Sequence, residues 1–201
     1  MIKFFYVSLL SLVFLFNLNA QKHSHSHEHK HDGLHHWEIP SKDPDRIILT
    51  FNGDPSTTRA VTWRTDSTIK KAEAQIAIAG VNSGFSNKAI SYNASTEEFD
   101  LGIYKSNKSL IVNYHSVIFE NLKPNTLYAY RVGSDENWSE WIQFKTANNY
   151  YSPTQFVYFG DAQNDILNHW SRVIRMAYQT APNASFVIHA GDLVDTAHKD
   201  N

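Results

Sequence analysis

The sequence predicts an all-β sandwich followed by the start of an α/β domain, and three observations carry that prediction. After Pro44, about seven short segments of strand character fall within roughly 100 residues, and turn clusters punctuate them. Further on, two apolar runs, 156–159 and 186–190, each end abruptly in Gly-Asp. Between those runs Ile166, Trp170, Val173, Ile174, Ala177 and Ala181 recur at helical spacing, and Pro182 comes next as a stop.

The candidate strands of the sandwich are 46–51, 60–65, 72–79, 88–93, 109–119, 127–132 and 140–145. Asn52-Gly53-Asp54-Pro55, the segment from Gly80 to Gly84, Lys123-Pro124-Asn125 and Gly133-Ser134-Asp135 supply the turns. In Val61-Thr62-Trp63-Arg64 the indole belongs in the core between sheets, where a large apolar ring with one polar handle is accommodated. Trp138, Trp141 and Phe144 populate the last strand. His115 lies in an alternating run and reads as a packed strand residue rather than a ligand. Asn93, Asn107, Asn137 and Asn183 each begin an Asn-x-Ser sequon, which matters only in a host that glycosylates.

Strand, helix and strand over roughly 30 residues make a βαβ crossover, so the two strands should be parallel neighbours. Asp161 and Asp192 then sit at the carboxyl ends of adjacent strands, where open α/β sheets place their ligands. Two carboxylates converging there repel one another unless a cation lies between them. The alternative is a pair of strand-end turns whose aspartates merely cap the next segment of chain. His189 precedes the second Gly-Asp and reads as a strand residue facing the layer beside the site.

Two stretches carry a family resemblance. Leu122-Lys-Pro124-Asn-Thr126-Leu-Tyr128 looks like the tyrosine corner of a fibronectin type III fold, with Tyr128 as the corner residue. The assembly DPDRIILTFNGDPSTTRAVTWRT…LKPNTLYAYRVGS…WSEWIQFKT, within 44–146, resembles the fibronectin-like N-terminal domain of purple acid phosphatases. QFVYFGDAQND…SFVIHAGDLVD resembles the first two motifs of the calcineurin-like metallophosphoesterases, specifically their purple acid phosphatase branch.

The resemblance implies a start of a metallophosphoesterase domain at 154–201 and a pair of metal ions, divalent or of the iron, zinc or manganese type. It implies that Asp161 binds one ion and that Asp192 bridges two, with a phosphate ester as substrate. Asp195 stands where the purple enzymes have their tyrosine ligand, and Gln163 where other members have a histidine. Both are candidate ligands, and the identity of the first metal stays open. Without the tyrosinate no purple colour is expected.

Composition sets the bounds. The 201 residues are 42% hydrophobic and 13% aromatic, as suits β-rich structure with a real core. A formal net charge of −2 offers no basic footprint for nucleic acid or an anionic membrane. The absence of cysteine excludes disulfides, thiolate ligands and a cysteine nucleophile together.

Residues 1–20 read as a cleaved signal peptide, with Lys3, an apolar run over 4–18 and a cleavage end at Ala20. The run is too short for a good membrane span, so a secreted or periplasmic protein without a stable membrane anchor is expected. Residues 21–43 hold a low-complexity tract, with His23, His25, His27, His29, His31, His35 and His36, expected to be disordered. It is either a metal-scavenging tail that feeds the downstream site or a solvated spacer that binds metal incidentally. Residues 147–153, closed by Pro153, read as the linker.

The family's Asn-His and His motifs have no counterpart among residues 196–201. The expectation is therefore the N-terminal part of a longer phosphoesterase, cut within its catalytic domain and inactive by itself. Two alternatives belong to other classes: a secreted β-sandwich binding module, and an exported metal-sequestering protein acting through the histidine tract.

Overall fold

The computed structural model describes residues 39–104 and 108–193. The leader, the histidine tract and Asp195 lie outside the described residues. In chain order the first region contains β1 (Asp45–Thr50), β2 (Arg59–Asp66), β3 (Glu73–Ile78), β4 (Ile90–Asn93), β5 (Ser95–Tyr104), β6 (Lys108–Phe119), β7 (Leu127–Ser134), β8 (Asn137–Trp138) and β9 (Ile142–Lys145). One sheet has the order β1-β2-β6-β5; the other has β4-β3-β7-β8, with β9 also on β7. Every pairing in both sheets is antiparallel.

The core lies between the sheets. Val61 and Trp63 of β2, Ala74 and Ile76 of β3, Val117 and Phe119 of β6, and Tyr128, Tyr130 and Val132 of β7 form one buried cluster. The two-residue period that puts these side chains inward is what the alternation predicts. Burying a ring such as Phe119 contributes about 1.5–3 kcal/mol. Trp63 is 0% exposed, at the position the sequence assigns it. Behind β2, Arg64 forks onto Asp45, with Nε donating to Oδ1 at 2.8 Å and a terminal nitrogen to Oδ2 at 2.6 Å.

The tyrosine corner is present: the Lys123 backbone N–H donates to Tyr128 Oη at 2.8 Å. Tyr128 also stacks on Phe144, with centroids 5.7 Å apart. Gly133 is required where β8 crosses back over β7, because a Cβ there would collide with the Asn137 carbonyl oxygen and the backbone of Trp138.

Two strands of the sandwich depart from expectation. Trp138 lies on the separate two-residue β8 and Trp141 between strands, so of Trp138, Trp141 and Phe144 only Phe144 is on the last strand, β9. β5 is ten residues long, yet no strand is expected between 93 and 109. Among the described residues it pairs with β6 alone, at a sheet edge, and its Glu97, Glu98 and Asp100 break the apolar alternation. Charge on an edge strand blunts edge-to-edge association, so the pattern that hides the strand suits its position.

The second region contains β10 (Val157–Phe159), α1 (Ser171–Thr180) and β11 (Val187–His189). β10 and β11 are parallel, with Val157 opposite Val187, Tyr158 opposite Ile188 and Phe159 opposite His189. The helical segment opens with a π-helical turn, Ile166–Trp170, before continuing as α1. Tyr158 and Ile188, which share one face of the pair, are exposed, and a groove lined by Phe156, Tyr158, Val173 and Met176 runs beside the helix.

Candidate metal centre

Each parallel strand ends in a sharp turn. The last ladder bond runs from the Ala190 N–H to the Phe159 carbonyl at 2.8 Å. Beyond it the backbone enters the left-handed region at Asp161 (φ 55°), Gly191 (φ 104°) and Asp192 (φ 52°). Glycine adopts this conformation freely and aspartate tolerates it better than most residues, which is why Gly-Asp can close a strand so abruptly. Ala162, 3% exposed, anchors the first turn between Asp161 and Gln163.

The result is two carboxylates at the same end of a parallel pair, both on exposed residues. Gln163 is beside the first: its Nε2 donates to Asp161 Oδ1 at 3.4 Å, a long bond. Asp161, Gln163 and Asp192 thus sit on the two strand exits, while Asp195 lies outside the described residues. Among the described residues no group of three or more His, Asp or Glu side chains is gathered to hold a metal ion. The donors fit a hard cation in kind, being carboxylate oxygens with an amide oxygen to add.

No described histidine joins these carboxylates in a group of three that could hold a metal ion. His169 reaches Asp165 at 4.0 Å along the helical segment, with both side chains exposed. His115 lies in the sandwich, 1% exposed, with Nε2 bonded to Thr65 Oγ1 at 2.8 Å and Nδ1 to Thr96 Oγ1 at 2.9 Å. Burial pushes its pKa down to about 4. It is the packed strand residue the alternation implies. His189 faces the helix layer edge-on to Trp170, whose ring also meets Phe159 at 4.8 Å. Both ring nitrogens of His189 are enclosed without a hydrogen-bond partner among the described residues. Nothing in the local sequence signals that enclosure, since it depends on a tryptophan brought in by the helix.

The structure thus joins a fibronectin III-like sandwich to a parallel strand pair with an aspartate at each exit. A family profile described as "Purple acid Phosphatase, N-terminal domain" matches residues 44–146, and the chain belongs to that family. It is 29% identical over 166 residues to "Acid phosphatase type 7" of Mus musculus, covering 82% of this chain and 35% of that protein. It is 29% identical over 164 residues to "Acid phosphatase type 7" of Homo sapiens, covering 81% and 35% respectively. The chain thus spans about a third of the length of the curated relatives it matches. A solved structure, "Structure of PhoD", overlays on 72% of this chain and 27% of its own, at 15% identity and a TM-score of 0.47.

Proposed function

We propose that the protein is an exported metal-dependent phosphoesterase of the acid phosphatase type, hydrolysing phosphate esters with a metal-activated water. One observation carries the proposal: two exposed aspartates close adjacent parallel strands directly behind a purple acid phosphatase N-terminal domain. Asp161 would hold one ion and Asp192 would bridge two, with Gln163 and Asp195 completing the shell of the first. When bound, such a pair orients the ester, lowers the pKa of the attacking water and stabilises the departing oxygen. The chain's own contribution is to place the two aspartates at the exits of adjacent parallel strands, where the backbone turns through the left-handed region at Asp161 and Asp192. Export is supported by the pattern of residues 1–20, where Lys3 precedes an apolar run over 4–18.

The test compares Asp192→Asn with Asp195→Asn in the protein that carries the complete metal shell. A bridging carboxylate serves both ions, so Asp192→Asn should nearly abolish phosphatase activity and lower bound metal by elemental analysis. Asp195→Asn should be milder, because Gln163 or water can fill its place. Equal losses of activity and metal would overturn the assignment. The active protein should also be colourless, since a carboxylate at Asp195 gives no phenolate charge transfer to ferric iron. Residues 21–201 by themselves should not turn over p-nitrophenyl phosphate with added zinc, manganese or iron, because two aspartates with two helpers do not hold a metal pair.

A second activity, metal sequestration, is favoured by seven histidines between positions 23 and 36. Deleting 23–36 would abolish all metal binding if sequestration were the whole function, and would spare binding at Asp161 and Asp192 otherwise.

A further inference from the structure

The sandwich and the parallel pair meet through an unbroken line of rings. Phe156 and Phe186 immediately precede β10 and β11, and they stack with centroids 5.2 Å apart and planes 3° from parallel. The two entry segments are also tied by the backbone, the Val157 N–H donating to the Phe186 carbonyl at 3.1 Å and the Ser185 N–H to the Gln155 carbonyl at 2.8 Å. Phe51, in the turn after β1, meets Phe186 edge-on at 5.3 Å.

Phe51 is in turn backed by Arg59. The guanidinium carbon lies 4.7 Å from the Phe51 centroid and 5.6 Å from that of Phe144, a ring packed against the sandwich core. Arg59 is buried, and it donates to the carbonyls of Pro55 at 2.6 Å, Thr58 at 2.8 Å and Lys145 at 3.3 Å. Those bonds fix the turn that carries Phe51. The Ala147 N–H donates to the Pro55 carbonyl at 3.0 Å, so the exit of the sandwich is pinned to the same turn.

We infer that Phe51 is a docking residue through which the sandwich holds the entry ends of β10 and β11, and that Phe51 is thereby a positioning residue for the strands that end in Asp161 and Asp192. Phe51 is 42% exposed and so contributes little to the sandwich core. Its ring meets Phe186, with Arg59 behind it. β10 and β11 have only three residues each, and two short strands are marginal without further packing. An aromatic contact at their entry therefore bears on their whole length. The docking is a property of the fold; its consequence for a metal pair rests on the phosphoesterase proposal.

The experiment is hydrogen exchange resolved by segment on the full chain, with Phe51→Ala, Phe186→Ala, the double variant and Phe51→Tyr. Loss of the edge-on pair should speed exchange of the Val157–Phe159 and Val187–His189 amides about 10-fold, leaving those of β2 and β6 unchanged. The double variant should be no faster than Phe186→Ala, because both substitutions remove the same contact. Phe51→Tyr, which keeps the ring, should restore protection. Unprotected β10 and β11 in the unsubstituted chain, or unchanged rates there in Phe51→Ala, would overturn the inference. So would equal acceleration in β2 and β6. No metal or substrate is needed, so failure here is distinguishable from failure of the phosphoesterase proposal.

Discussion

The sandwich buries what the strand–helix–strand unit leaves exposed. Trp63, Phe119, Tyr130 and their neighbours close a core between two sheets, whereas among the described residues from 154 to 193 Ala162 is the one fully buried apolar side chain. Both regions have apolar residues at the spacing their elements demand. The sandwich has two sheets to fold against each other; the parallel pair has Trp170 of the helical segment against Phe159 and His189, while Tyr158 and Ile188 are exposed. Parallel sheets are covered on both faces in stable domains. Conformational stability therefore resides in the first region, and the two strand-exit carboxylates in the second. The difference shows that amphipathic pattern establishes an element, while burial requires a second layer.

The largest expected effect is in the sandwich. Trp63→Ala removes the largest fully buried side chain and leaves a cavity between the sheets. Such truncations cost about 3–5 kcal/mol, a large part of the stability of a domain this size. Thermal unfolding followed by circular dichroism should show the sandwich transition lowered by many degrees or lost. A variant that melts like the unsubstituted chain would show that the core does not hold the sandwich together.

Next in size is a pH dependence that belongs to the sandwich. Both ring nitrogens of His115 are bonded to threonine hydroxyls, and the ring lies 5.4 Å from Trp63. Folding pushes its pKa from the ordinary 6.5 down to about 4. Above 6.5 the group is neutral in both states and costs nothing. Between 6.5 and 4 the unfolded chain binds the extra proton, so stability falls as pH falls, and below 4 the loss is complete. The full effect is about 3 kcal/mol. Denaturant unfolding at pH 7 and pH 4 should show this loss in the unsubstituted chain and not in His115→Gln. Identical pH slopes in the two proteins would remove His115 as its source.

These contrasts also mark what is legible in the sequence. Trp63 in the core, the corner at Tyr128 and the parallel neighbours ending in Gly160-Asp161 and Gly191-Asp192 can all be read from local pattern and spacing. β5 cannot, because Glu97, Glu98 and Asp100 obscure the alternation on an edge strand. The π-helical turn at Ile166–Trp170 keeps the apolar spacing of a helix, so periodicity does not reveal its wider hydrogen bonding. At the candidate centre, Asp161 and Asp192 are legible because strand ends are local features. The contact of Phe51 with Phe186 is not, since Phe51 reads simply as the last residue of a strand and its partner lies in another region. The enclosure of His189 depends likewise on a residue of another element, Trp170.

The smallest effect sharpens the comparison, because the same chemical change can be made once in each region. Tyr128→Phe and Tyr158→Phe each delete one hydroxyl. Tyr128 is 7% exposed and its oxygen accepts the Lys123 N–H at 2.8 Å, closing the corner where β7 begins. Removing that acceptor leaves a partly buried backbone donor without its partner, which costs about 1 kcal/mol or somewhat more. Tyr158 is 66% exposed, so its hydroxyl is free to exchange between protein and water at no comparable cost. Its loss should stay within about 0.5 kcal/mol. Denaturant unfolding of both variants, read from the midpoint at constant slope, gives the two numbers directly. A Tyr158→Phe cost equal to that of Tyr128→Phe would mean that the exposed face of β10 is covered in solution, and the contrast between a closed sandwich and an open strand pair would then be wrong.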